Sequence, residues 1–78
     1  MAVILDDKTM ELIAIGAAVA GNCEACTLYH IHKAADVGAS VQEVMQAIDI
    51  GTFVKEAAAK RIEHAVERIF KETTEKAA

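Results

Sequence analysis

The sequence predicts an all-α protein, a small antiparallel helical bundle of about four helices that assembles into an oligomer. Three observations carry that expectation. The chain has no proline and is rich in Ala, Glu and Lys, all good helix formers. Its apolar residues recur at spacings of three and four, without the two-residue alternation of strands. Finally, 54% of its 78 residues are hydrophobic. A chain this short buries only about 60% of the surface its unfolded form exposes, so much of that apolar surface must be covered by another subunit. One domain, residues 1–78, is all the length allows.

The first helix is expected from about Lys8 to Ala20, with Asp6 or Asp7 as its N-cap and both acids favourable to its dipole. Its apolar run from Leu12 to Ala20 is almost uninterrupted, which predicts a helix buried on all sides. Glu11 enters near the start of that run, either at the surface end of the helix or buried with a partner. Gly21 and Asn22 end this helix, and Asn22 is the expected cap of the second. The second helix runs from about Cys23 to Val37 and stops at Gly38, where a left-handed residue is expected.

Ser40-Val41-Gln42-Glu43 reads as a capping box, so a third helix starts at Val41 and reaches about Ile50. Gly51-Thr52 marks a break or a kink. From Phe53 to Thr74 the pattern is helical again. Val54, Ala58, Ile62, Ala65 and Ile69 form one narrow stripe suited to packing on another helix, including one from another subunit. Charges cover the other side, with Glu56/Lys60, Glu67/Lys71 and Glu72/Lys76 at the i,i+4 spacing. The last few residues are expected to fray.

Composition excludes several function classes. The formal charge is −4 and the eight basic residues are interleaved with acids, so nucleic acid is not an expected partner. No basic region precedes the first apolar residues, as a secretory signal would require. The longest uncharged run, Leu12 to Cys23, is far short of the roughly 20 residues a bilayer needs. No membrane partner is expected, and the cytoplasm is the expected compartment. There, a C-x-x-C pair points to catalysis or metal binding before structure.

The chemistry concentrates in Gly21 to His30. On a helix, Cys23, Cys26 and His30 share one stripe. Both cysteines fall in the first turn or so, where unsatisfied N–H groups and the dipole favour a thiolate. His30, one turn beyond Cys26, can take its proton directly or through a water. Each cysteine can resolve the other: a sulfenic acid on one condenses with the second to a disulfide. A bridge between residues three apart on one helix clamps almost nothing, so redox turnover explains it better than stabilisation. His30 favours Cys26 as the thiol attacked first, whereas proximity to the helix N-terminus favours Cys23. His32 and His64 lie off this stripe among charged neighbours and are expected at the surface. Tyr29 is expected in the core or an interface, and Thr27 as helix filler.

Glu11, eleven residues, Cys23, two more, Cys26, three more, then His30 resembles the AhpD-like alkylhydroperoxidases of the carboxymuconolactone decarboxylase-like superfamily. His30, Ala34, Gly38, Ala39, Ser40 and Glu43 continue the likeness, which covers about residues 7 to 50. The resemblance implies an all-α fold built on a helical hairpin, with subunits packed as dimers, trimers or hexamers. It implies cysteine-dependent peroxide reduction, with Cys26 peroxidatic, Cys23 resolving, and His30 and Glu11 as a proton relay. The implied partners are a peroxide substrate and a dithiol reductant such as a lipoyl group on another protein, with no cofactor of its own. Ala25 departs from the pattern, since peroxidases of this type tend to carry a histidine there. The decarboxylase branch lacks the cysteine pair, so lactone decarboxylation is not implied.

A second function class competes with peroxidase or dithiol–disulfide chemistry. Cys23, Cys26 and His30 could hold a metal in a binding or assembly module, with Glu11 or another subunit as the fourth ligand. Glu11 weighs toward the first class, because a carboxylate spaced to meet the Cys/His stripe is what a proton relay needs.

Overall fold

The structure, a computed structural model, describes residues 3–77, with side chains through Glu75. It is all-helical. Among the described residues there are three helices, α1 (Asp7–Ala20), α2 (Glu24–Asp36) and α3 (Val41–Ala77).

The caps explain the boundaries. Asp6 caps α1 by accepting a 2.7 Å hydrogen bond from the Thr9 amide. Hydrogen bonds from Thr9, its side chain first, hold the Asp6 carboxyl below its ordinary value. The α1–α2 connection differs from expectation. Asn22 is not the cap of α2; it takes the left-handed conformation, φ 59°, and Cys23 is the N-cap. Asparagine is one of the few side chains that tolerate this region. At the far end Gly38 has φ 90°, the expected left-handed residue after α2. The capping box at α3 is closed in both directions. The Glu43 amide donates to Ser40 Oγ at 3.1 Å, and the Ser40 amide donates to Glu43 Oε1 at 2.9 Å.

Helix α1 is the central element. It folds back against α2 on one side and runs beside the first half of α3 on the other. One residue from each helix meets in the core: Ile15, Ala34 and Ala47, ringed by Leu12, Ile31, Val44 and Ile48. Two expectations need correction here. Within one chain α1 is not buried on all sides; only Ile15 and Ala18 are buried, and Ile13 is half exposed. Among the described residues the helix count is three, not about four, because Gly51 neither breaks nor ends α3. A Cβ at position 51 would lie 2.5 Å from the Gly16 carbonyl oxygen and 2.8 Å from Val19 Cβ. The missing side chain lets α1 and α3 approach closely, which offsets the roughly 1 kcal/mol that glycine costs a helix interior.

Beyond Val54 the second half of α3 projects from this body as a single arm. The molecule therefore measures 61 × 28 × 19 Å, with a radius of gyration of 18.2 Å. A compact chain of this length would have about 11.5 Å. The arm carries its apolar stripe in the open: Ile62 is 66% exposed and Ile69 60%. Among the described residues the ion pairs are Lys8–Glu43, at 3.0 Å, and Glu11–His30. Glu56/Lys60 and Glu67/Lys71 do not close into ion pairs, since holding two long exposed side chains together costs entropy. The Glu72/Lys76 pair involves a side chain outside the described residues, and the backbone expected to fray is helical through Ala77.

Candidate redox site

The site is built on the tight connection between α1 and α2. The Cys23 amide donates to the Ala18 carbonyl at 2.9 Å, so Cys23 is fixed to the end of α1 as well as to the start of α2. Its sulfur fills the N-cap role and accepts the Cys26 amide at 3.2 Å. This is the helix-start environment that favours negative sulfur. Cys23 and Cys26 are joined as a disulfide, with Cα atoms 5.3 Å apart. Cys26 is exposed and Cys23 partly buried.

The second pair crosses from α2 to α1. His30 Nδ1 lies 2.6 Å from Glu11 Oε2, and both side chains are partly buried. Of the two placements open to Glu11, the structure therefore has the partnered one. An ionised carboxylate only accepts, so Nδ1 donates and Nε2 is left to accept a proton. The Tyr29 ring stands edge-on to His30, centroids 5.0 Å apart, and Lys33 Nζ sits 5.8 Å from the Tyr29 centroid. Tyr29 itself is exposed in the single chain, not in the core. His32 and His64 are exposed, as expected.

All four expected site residues thus sit on the α1–α2 hairpin, joined as two pairs, Cys23 with Cys26 and Glu11 with His30. No hydrogen bond runs from one pair to the other among the described residues. Two residues escaped the sequence argument. Thr27 is more than helix filler: its hydroxyl donates to the Cys23 carbonyl at 2.8 Å and so helps hold the N-cap residue. The signal was available, because a threonine four residues after a cap can bond back to it. Lys55, from the start of the arm, lines a recess of about 370 Å³ with Ala18, Asn22, Cys23, Thr27 and Leu28. Nothing local in the sequence links Lys55 to Cys23; only the crossing of α3 over α1 brings it there.

The family model of the carboxymuconolactone decarboxylase family matches residues 2–68. The chain belongs to that family. No curated protein and no solved structure matches it. The family match is consistent with the AhpD-like likeness of Glu11, Cys23, Cys26 and His30, and it extends well past that likeness into the arm. A carboxymuconolactone decarboxylase-family chain with a bonded C-x-x-C at a helix start fits a dithiol redox role. The metal alternative gains no geometric support: among the described residues no three His, Cys, Asp or Glu side chains are grouped to hold an ion. Nor is any helix among them long and apolar enough to cross a membrane.

Proposed function

We propose that this chain reduces hydroperoxides through a dithiol–disulfide cycle at Cys23 and Cys26. The observation that carries it is the cysteine pair at the start of α2, with a carboxylate-oriented histidine one turn further along the same helix. Exposed Cys26 is the attacking thiol. Its proton passes to Nε2 of His30, directly or through a water, and Glu11 orients the ring and stabilises the imidazolium. The Cys26 thiolate attacks the terminal peroxide oxygen, the O–O bond breaks, and the alkoxide takes a proton and leaves as the alcohol. Cys26 is then a sulfenic acid. The Cys23 thiol displaces its hydroxyl as water, forming the disulfide. An external dithiol returns both cysteines to thiols and is itself oxidised to a disulfide. A lipoyl group on a protein partner is the reductant suggested by the family likeness, and the reducing cytoplasm is the matching compartment.

The test is peroxide consumption by the purified chain with dithiothreitol or dihydrolipoamide as reductant. Cys26→Ser should abolish turnover. Cys23→Ser should consume one equivalent and stop as a trapped sulfenic acid. His30→Ala should slow the reaction by about 10²–10⁴-fold, the usual effect of removing a general base. A second order of attack is favoured by one observation, the Cys26 amide donated to Cys23 Sγ. If Cys26→Ser traps the sulfenic acid and Cys23→Ser does not, Cys23 is the attacking thiol. No peroxide consumption with any dithiol, beside intact disulfide exchange, would restrict the activity to dithiol–disulfide oxidoreduction.

A further inference from the structure

Helix α3 brings a cation to the cysteine pair that the cycle proposed above leaves unused. The place of Lys55 follows from Gly51. That glycine lies against Gly16 and Val19 of α1, where even a Cβ would not fit, and Lys55 is one turn further along the same face. It therefore stands at the last turn of α1, where the chain passes into Cys23. Lys55 and Cys23 line one recess of about 370 Å³. The Lys55 ammonium is in no ion pair among the described residues. Cys26 and His30 are not in the wall of this recess.

We infer that the recess receives the reductant, and that Lys55 selects a thiol carrying a carboxylate on a short carbon chain. The inference rests on the dithiol cycle proposed above and names the reductant's chemical class. Three features favour it. The volume is at the small end of ligand sites, and Ala18, Val19 and Leu28 give an apolar wall for the carbon chain. Lys55 and the N-terminal end of α2 both favour a negative group there. Glu24 is the other charged side chain in the wall. A single ammonium opposed by one carboxylate suits a singly charged ligand; a phosphate dianion would meet Glu24 with no second base to offset it.

The step balances as follows. The reductant's thiolate attacks Cys23 Sγ, a new S–S bond forms, and the Cys23–Cys26 bond breaks. Cys26 leaves as a thiolate beside His30 and takes up a proton. The reductant's second thiol then attacks the reductant sulfur of the mixed disulfide, releasing Cys23 and closing the reductant to a disulfide. Its two thiol protons are replaced on Cys23 and Cys26, so two electrons and two protons pass to the chain. The two reactants thus use different sides of the pair. Peroxide meets exposed Cys26 near His30, and the reductant meets Cys23 near Lys55.

The experiment uses the oxidised full chain and no peroxide. Loss of the disulfide is timed with mercaptopropionate, mercaptoethanol and cysteamine, one anionic, one neutral and one cationic. Each rate is expressed per thiolate and divided by the same thiol's rate on a small neutral disulfide. The wild-type chain should favour mercaptopropionate over mercaptoethanol, although its net charge of −4 opposes an anion. In Lys55→Gln that ratio should fall about fivefold, as for one half-exposed charge pair. Lys55→Arg should keep it, and added salt should shrink it. Lys71→Gln makes the same change in net charge far along the arm and should leave the ratio as it was. Acid quenching, alkylation and mass spectrometry should find the mixed disulfide on Cys23 and the alkyl group on Cys26.

An unchanged ratio in Lys55→Gln, an equal fall in Lys71→Gln, or a mixed disulfide on Cys26 overturns the proposal. So does a wild-type preference for cysteamine, which would give the recess to Glu24. A chain that keeps the Lys55-dependent preference but consumes no peroxide with dithiothreitol counts against the peroxidase reading alone. The reverse result counts against the role of Lys55 alone.

Discussion

Helix α3 is one continuous helix in two different surroundings. From Val41 to Val54 it lies along α1, and Ala47 and Gly51 are buried there. From Lys55 onward it has the same apolar spacing, yet no described side chain is buried. The two halves differ in what they have to cover them, not in pattern. Amphipathic periodicity identifies the face that wants a partner; it does not say whether that partner is in the same chain. The candidate redox site borders the junction of the two halves, since Lys55, which begins the arm, and Cys23 line one recess.

Substitutions can sharpen this contrast, beginning with the core. Ile15→Ala removes the one large fully buried side chain and should cost about 2–5 kcal/mol of stability, read by denaturant unfolding. Ile62→Ala makes a comparable deletion on the arm. In a dilute sample it should change stability by less than about 0.5 kcal/mol, as exposed substitutions do. At concentrations where copies associate, its cost should grow toward the core value. A large loss at every concentration would break the contrast, because it would mean the arm is covered within its own chain.

Gly51→Ala tests the boundary between the halves. By propensity it should stabilise the helix by about 1 kcal/mol. By packing it forces a methyl group onto the Gly16 carbonyl and Val19, which typically costs about 1–3 kcal/mol. The expected net outcome is a lower Tm, with α1 and α3 pushed apart. A rise in Tm would show that the close crossing is not needed.

The smallest effect is a pH dependence at the start of α3. The Ser40 backbone amide first, and then Lys8, hold the Glu43 carboxyl below its ordinary value of 4.5. A group whose folded value is depressed contributes stability above its unfolded value and loses it as pH falls through the folded one. Thermal stability should therefore decline as pH drops below about 4.5, and Glu43→Gln should flatten that slope.

Much of the body was legible residue by residue. Asp6, Ser40, Glu43 and Gly38 announced helix ends because capping chemistry is local: each needs only a neighbour within four residues. Glu11 and His30 were legible as a pair from their spacing in a family pattern, and α1 folding back on α2 brings them to 2.6 Å. The cap role expected of Asn22 falls to Cys23, and Asn22 takes the left-handed turn before it. Asparagine serves equally well as a cap or in a left-handed turn, and spacing alone does not choose between them. Gly51 was read as a break or kink because glycine weakens a helix, while what it serves is the close approach of α1, where a Cβ would lie 2.5 Å from the Gly16 carbonyl oxygen.

The sequence by itself determined the helical class, the caps of α1 and α3, and the placement of Cys23 and Cys26 at a helix start. Those properties follow from backbone preferences and from contacts within one or two turns. Only the tertiary structure decided that α3 runs unbroken through Gly51, that Lys55 and Cys23 line one recess, and that the arm's apolar face is left uncovered. Each of these depends on how closely two helices approach and along which faces. Side-chain volumes across a contact fix that distance, and a one-dimensional pattern does not contain it.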